Sequence, residues 1–519
     1  MMKMKKLTAL VAVLLSFMLV FAACDMVGGV NLNNVLKSPI EQESYEGKMN
    51  ISIEVLPGDQ SWITDGSNDL GLLSAFPGFE INIHEYKQQD LMTASFAGDL
   101  SVAGISIPFA MSIGSDEWVI EVDGIERPLV YDLTAPYDEL GIDINKEQFN
   151  QQNIDLTKAI YEYFIPNLPN PGKVEASFDS IEVNGTQHNV RKIHAEVYGH
   201  ELFELIESLL RNLVADEEGL RLVVDEFYEL AQPVIDGAIR TSIEPYIEEV
   251  DPVDTLGIDL VLAYLDNKTL VTEFLYTTVH RLYEFALDQL DAAEAALVTA
   301  DGSILNESSY ASVDLYIDGS NNVIQSDVEI VVSPGSADPS VEAGGILITA
   351  QSQKWNINQP VEVEPLSSEN GISLVDSMDE ESILYAVDGS STIGQMLSAL
   401  GLNQKLIYVW LDEADVIVNN NTTLMHAYDL RYELGIELDW DSLYSDQVVL
   451  TDSSGTTTVV LPKDQNIIYV NDIAIEVPVG ATETDYGVYL PLRAVAEAFG
   501  YEVSYDPVYR TVDLLKTYF

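Results

Sequence analysis

The chain has 519 residues, 85 of them acidic and 24 basic, for a formal net charge of −61 at pH 7. Such a field repels nucleic acid and anionic lipid headgroups, and leaves cations and basic surfaces as electrostatic partners. Hydrophobic residues at 47% exclude a disordered polyanion, and the length exceeds one ordinary core, so two or three globular domains are expected.

Lys3, Lys5 and Lys6 precede an apolar run from Leu7 to Val20, then Phe21, Ala22, Ala23 and the single cysteine of the chain, Cys24. This is the layout of a secretory signal peptide over 1–23. It resembles the lipobox of bacterial lipoproteins, with Phe21 where leucine is usual. The resemblance implies cleavage before Cys24, acylation of its thiol, and a short polar tether over 24–46. One acyl chain anchors only marginally, at roughly 0.8 kcal/mol per buried methylene, so a stable anchor needs two or three. The alternative is a secreted protein with a free thiol at Cys24. No other stretch is long and apolar enough to span a bilayer, and no disulfide can close within the chain.

Met49, Ile51, Ile53 and Val55 alternate with polar residues, the period of a half-buried strand. Similar runs at Ile105, Ile107, Phe109 and Met111, and from Trp118 to Val122, are separated by turn residues and predict an antiparallel meander. Two strands from Val174 to Val183 and Val190 to Val197 flank Asn184-Gly185, a favoured type I′ turn pair. The period then changes. Leu202, Ile206, Leu209 and Leu213, followed by Leu220, Val223, Phe227 and Ala231, repeat as one helix face does, with Pro233 expected to end or kink the second helix. A third helix is predicted over Leu270 to Leu297. Strands return at Val313 to Ile317 and Val328 to Val332, and Gly345 to Ala350 and Trp355 to Val363 are expected to finish the sheet.

The pattern predicts an α+β body over 47–365, an antiparallel curved sheet covered by inserted amphipathic helices. The order of strands, helices and strands, closing on Trp355-Asn356-Ile357-Asn358, resembles lipoprotein carriers of the LolA and LppX type. That resemblance implies an apolar cavity holding a lipid, with Ile105, Phe109, Phe227 and Phe285 among the residues that would enclose it. An ordinary packed core accounts for the same stripes. A polar linker begins at Pro365, and the region 366–402 separates the body from a different kind of sequence.

Tyr489-Leu490-Pro491-Leu492-Arg493-Ala494-Val495-Ala496-Glu497-Ala498-Phe499-Gly500, then Tyr501 to Asp506, closely resembles the stalk domain of exported Bacillota proteins, the copper amine oxidase N-terminal-like domain. Ile468 to Asp472 and Thr511 to Leu514 match its flanking strands. A diverged copy precedes it: Gly435 lies 65 residues before Gly500, and Asp441, after Trp440, lies 65 before Asp506. The first copy has His426 and Tyr428 where the second has Pro491 and Arg493. Leu492, Val495, Ala496 and Phe499 form one apolar helix face, Gly500 supplies a left-handed terminator, and Arg493 and Glu497 are placed to pair. Each copy is thus a strand, helix and strand too small to bury its own core, and the two are expected to pack together as a tandem stalk over 403–519.

The family name does not bring an oxidase with it. A topaquinone enzyme needs a tyrosine in an Asn-Tyr-Asp/Glu context and three copper-binding histidines, and no such tyrosine occurs among these residues. Evenly spaced His188, His194 and His200 are the best metal candidates, since imidazoles suit zinc or copper. However, Gly199 is expected to end their strand, and surface histidines are the commoner explanation. Asp412 to Asp415 and Asp318 to Asn322 lack the EF-hand pattern. No hydrolase elbow, P-loop, dinucleotide fingerprint or His-Glu-x-x-His occurs. The sequence reads as a non-catalytic, cofactor-free lipoprotein on the outer face of the cell membrane, acting in binding or envelope attachment. Its expected partners are the membrane through Cys24 and a cell-wall or surface protein. The alternatives are a carrier of an apolar ligand and a hydrolase whose carboxylates the composition conceals. If Cys24 is the anchor, Cys24→Ser should release the protein to the medium or leave it unprocessed; unchanged membrane retention and mass by fractionation and mass spectrometry would refute the anchor.

Overall fold

The computed structural model describes residues 27, 29–58, 78–135, 137, 142, 145–247, 263–298, 304–334, 344–375, 380–411, 415–452 and 455–519. Cys24 and the signal segment lie outside the described residues, as do 412–414. The chain forms two compact units, Met1–Ile120 with Val130–Ser367, and Glu121–Leu129 with Ser368–Phe519.

In the first unit the strands are β1 (Tyr45–Leu56), β2 (Gly78–Asp90), β3 (Thr93–Val102), β4 (Ile105–Ile113), β5 (Glu117–Val122), β6 (Leu129–Asp132), β7 (Lys173–Val183), β8 (Thr186–Tyr198), β9 (Tyr310–Ile317), β10 (Val323–Val332) and β11 (Gly345–Trp355). They lie in the order β6-β5-β4-β3-β2-β1-β11-β10-β9-β8-β7. Two sequential meanders therefore meet at β1 and β11, paired antiparallel from Glu46↔Trp355 to Leu56↔Gly345. The hairpin at Asn184 and Gly185 has both residues at positive φ, 48° and 74°, the mirror-image turn that matches strand twist.

Helix α1 (Leu32–Glu41) is capped by Asn31, whose side chain accepts from the Asn34 N–H. It corrects the tether expected over 24–46: Val30, Leu32 and Val35 are buried against Ile193, Val313 and Leu315 of the sheet. Helix α2 (Lys146–Asn167) follows β6, and α3 (Leu202–Ala215), α4 (Glu217–Ile247) and α5 (Lys268–Val298) fall between β8 and β9. Helix α4 runs on through Pro233, which therefore does not end it. Tyr163 of α2 is 1% exposed and joins Leu209, Leu213, Leu220 and Val224 in a core made by the helices themselves. Its hydroxyl donates to the Leu213 carbonyl at 2.8 Å. The last strand ends at Trp355, earlier than expected. Asn356 and Asn358 take positive φ of 52° and 56°, and Pro360 has no N–H for a ladder.

The second unit is built from short elements. The region 366–402 contains β12 (Ile372–Ser373), α6 (Glu380–Tyr385) and α7 (Thr392–Ala399). Beyond it come β13 (Gln404–Trp410), β14 (Val416–Asn419), β15 (Thr422–His426), α8 (Ala427–Leu434), β16 (Glu437–Leu438), β17 (Gln447–Thr451), β18 (Thr458–Pro462), β19 (Ile467–Val470), β20 (Ile473–Glu476), β21 (Thr482–Thr484), β22 (Gly487–Pro491), α9 (Leu492–Ala498), β23 (Glu502–Asp506) and β24 (Thr511–Thr517). The two copies join directly, because β15 pairs with β22 through Leu424↔Pro491, Met425↔Leu490 and His426↔Tyr489. Leu430 and Leu434 of one copy share a core with Leu490, Leu492, Val495 and Phe499 of the other. Gly435 and Gly500 take φ of 67° and 84° after their helices, the left-handed geometry that a β-carbon resists.

Leu490 is fully buried in the core shared by the two copies. Leu490→Ala should therefore cost about 2–5 kcal/mol of unfolding free energy, read from urea denaturation of the second unit, whereas Tyr486→Ala at an exposed position should change it little. Equal effects would refute a shared core.

Candidate functional site

An apolar cavity of about 510 Å³ opens at one end of the first unit. The β4–β5 turn supplies Ile113, Gly114 and Ser115, with Trp118 on β5; the β2–β3 turn supplies Leu91 and Met92; the segment after β6 brings Leu133, Thr134, Tyr137 and Ile142; and α2 contributes Lys146, Phe149, Asn150 and Asn153. Backbone bonds fix each wall. Gly114 N–H donates to Glu117 O at 2.9 Å, Leu133 N–H to Asp116 O at 2.9 Å, and Ile142 N–H to Tyr137 O at 2.9 Å. Tyr137 and Phe149 meet edge to face at 5.6 Å.

The few polar groups are placed by the same local chemistry. Asn145 caps α2 by accepting from the Gln148 N–H, which sets Lys146 on the first turn beside Asp116, 3.6 Å away. Asp132 accepts from the Thr134 N–H and hydroxyl at 2.7 and 2.8 Å. Burial pushes its carboxyl up, but these hydrogen bonds outweigh it and hold the pKa below the usual carboxylate value. A volume of this size, lined by aromatic and aliphatic side chains with a small polar set, matches an ordinary ligand site.

The residues expected to enclose a cavity do not line it. Ile105, Phe227 and Phe285 are exposed, Phe285 by 61%, and Phe109 packs edge to face on Phe96. Helix α2 was missed in the sequence because asparagine and glutamine interrupt its apolar repeat; Asn145 ahead of the run was the available signal.

A second, more open depression of about 580 Å³ is bordered by Glu46, Glu85, Glu362, Glu364 and Lys87. Glu46 accepts from the Trp355 indole at 3.1 Å, Lys87 pairs with Glu85, and Glu362 and Glu364 are exposed.

The three histidines stand apart. An even spacing does put residues of a strand on one face, but six residues of rise separate His188 from His194 by about 20 Å. His200 lies in a 3₁₀ turn, Gly199–Glu201. His194 is half-buried between two carboxylates: Nδ1 lies 2.8 Å from Asp314 and Nε2 2.8 Å from Glu196. Lys173 and Lys192 complete this cross-strand group, 2.7 Å from Glu196 and 2.8 Å from Asp314. Burial opposes the imidazolium, yet the bonds to Glu196 and Asp314 outweigh it and raise the His194 pKa. Hydrogen bonds from Lys173 and then His194 hold Glu196 down at about 2.

The motif residues of the second unit act structurally. Pro491 stands at the N-cap position of α9. Arg493 lies 3.3 Å from Glu497 and donates to the Val503 carbonyl at 2.9 Å. Asp506 accepts from the N–H groups of Val508 and Tyr509 at 2.7 and 3.1 Å, closing a turn. The Asp441 N–H donates to Asp439 at 3.1 Å, and Trp440 lies against Tyr428 at 6.0 Å and the Arg431 guanidinium at 5.5 Å. Residues 402–514 match the copper amine oxidase N-terminal domain family. That domain is distinct from the catalytic one of those enzymes. No curated protein is similar enough to the whole chain to match it.

The raised pKa of His194 means that its stabilisation is fully present below about pH 6.5, the ordinary value, and fades as pH rises through the folded value. His194→Gln should therefore lower the urea midpoint at pH 5.5 and little at pH 9, by up to about 1 kcal/mol for a partly exposed group. An equal loss at both pH values would refute the ion-pair role.

Proposed function

We propose that this protein is a lipid-anchored extracytoplasmic binding protein, non-catalytic, whose first unit takes up an apolar or amphiphilic ligand and whose second unit serves in envelope attachment. The cavity beneath α2 is the observation that carries the ligand reading. Its apolar walls suit an acyl or other hydrocarbon group, and Lys146 at the first turn of α2 suits an acidic headgroup. This favours a carrier, raised above simple attachment by a volume that close packing would have filled.

Anchoring through Cys24 fits the same reading. Only five residues separate Cys24 from Val30, about 20 Å of extended chain, and Val30 is already docked on the sheet. An acylated Cys24 would thus hold the first unit close to the membrane, while a net charge of −61 resists adsorption to anionic headgroups. The sheet-and-helix body resembling lipoprotein carriers belongs to this proposal, as does attachment by the tandem module.

Native mass spectrometry of protein purified gently from its own envelope should show a stoichiometric bound lipid. Added palmitate should alter the fluorescence of Trp118, and Leu91→Trp, which fills the cavity, should weaken palmitate binding about ten-fold or more. An empty protein that ignores palmitate would overturn the carrier and leave attachment alone.

A further inference from the structure

In the first copy of the tandem module, Asp415, His426 and Asp429 each present a ligand atom within 4.8 Å of the other two. The backbone brings them there. Val416 pairs with Met425 at the end of the β14–β15 hairpin, so Asp415 faces His426, whose N–H donates to the Asp415 carbonyl at 3.0 Å. His426 stands at the N-cap position of α8, where its side chain makes no capping hydrogen bond, and Asp429 lies in the first turn. In the second copy the equivalent positions are Gly480, Pro491 and Ala494, 65 residues on, so this set exists in one copy alone.

Three further observations point to a ligand. His426 is half-buried, and among the described residues neither ring nitrogen makes a hydrogen bond or an ion pair within 4.0 Å. The ring is nonetheless fixed in place: Tyr489 meets it edge to face at 5.4 Å, and Gly487, at φ 131°, approaches so closely that a β-carbon would lie 2.4 Å from Nε2. Tyr489 also donates its hydroxyl to Asp415 Oδ1 at 2.9 Å, the outer-sphere support that orients a metal-binding carboxylate.

We propose that Asp415, His426 and Asp429 bind one zinc ion. An imidazole with two carboxylates suits zinc better than calcium or magnesium, which prefer oxygen alone. Bonds of about 2.1 Å require donors about 3.4 Å apart in a tetrahedron, so the three side chains close in slightly around the ion. The positive end of α8 opposes a cation with roughly half a charge, against two full carboxylate charges. Three protein donors leave a fourth position for water or an outside ligand.

The test is calorimetric titration of the full chain with zinc chloride in excess magnesium, which occupies carboxylate-only sites. One magnesium-resistant zinc per chain is expected, with His426→Gln and Asp429→Asn each weakening it about ten-fold or more and Gly487→Ala weakening it by displacing the ring. Cobalt(II) on the unsubstituted chain gives a reading independent of any variant's folding: a visible absorption band of a low-coordinate site, abolished by one equivalent of zinc. Absence of a magnesium-resistant zinc, absence of the cobalt band, or wild-type affinity in a folded His426→Gln would each overturn the site.

Discussion

The first unit depends on one long-range pairing. Strands β1 and β11 lie some 300 residues apart in sequence, yet they pair over their full length, while the other neighbours among β1 to β11 are consecutive strands. Without this seam the two meanders would each end in an open edge, a template for pairing with other chains. The seam is fastened at its end: Glu43 N–H and Asn358 N–H bond to Asn358 Oδ1 and Ser44 O at 2.9 and 2.7 Å, and Ser44 donates to Gln359 O at 2.6 Å. Lys354 lies over the Tyr45 ring at 4.3 Å, where burial lowers its pKa to about 8. A lysine kept there despite its lost hydration indicates that the aromatic contact and the long stem serve packing. Closing so long a loop entropically delays this contact, so the seam is expected to form late.

Because the seam joins the meanders edge to edge, the helices after α1 enter as insertions, α2 between them and α3 to α5 within the second. They satisfy much of their apolar surface among themselves, around Tyr163. That leaves the N-terminal end of α2 to meet the sheet loosely, over turns rather than over a flat strand face, and the cavity lies there. Phe274, Leu282 and Phe285 on α5 remain exposed, while the helical core closes on Leu275, Tyr276, Val279 and Tyr283.

The mixed α+β class was legible because period-2 and period-3.6 runs are long in this chain. The Asn184-Gly185 hairpin and helices α3, α4 and α5 were legible for the same reason, as local signals dominate there. What failed were segments whose identity is decided by tertiary partners. Residues 31–41 look like a polar tether until Leu32 and Val35 find Ile193 and Val313; β2 and β3 carry polar residues on both faces that only neighbouring strands can satisfy; and α2 is held by Tyr163 and Phe164 packing against other helices. Helix α4 continues through Pro233 because a helix anchored on both sides of a proline tolerates the lost bond. Of the site, Trp118 was read correctly as strand but nothing local says that it faces a cavity.

Duplication explains how a small stalk module can carry chemistry that its repeat lacks. Paired through β15 and β22, the two copies share one core, so the second copy, with Pro491 and the Arg493–Glu497 pair, retains the stabilising features of the motif. The first departs from it at the strand–helix junction, where His426 replaces the proline that would pre-set the backbone; both helices, α8 and α9, start without a side-chain cap. The shared core holds that junction through Leu430 and Leu434, both fully buried. A polar triad at that junction is therefore tolerated because the core shared by both copies carries the stability of each, and the first copy alone presents the triad.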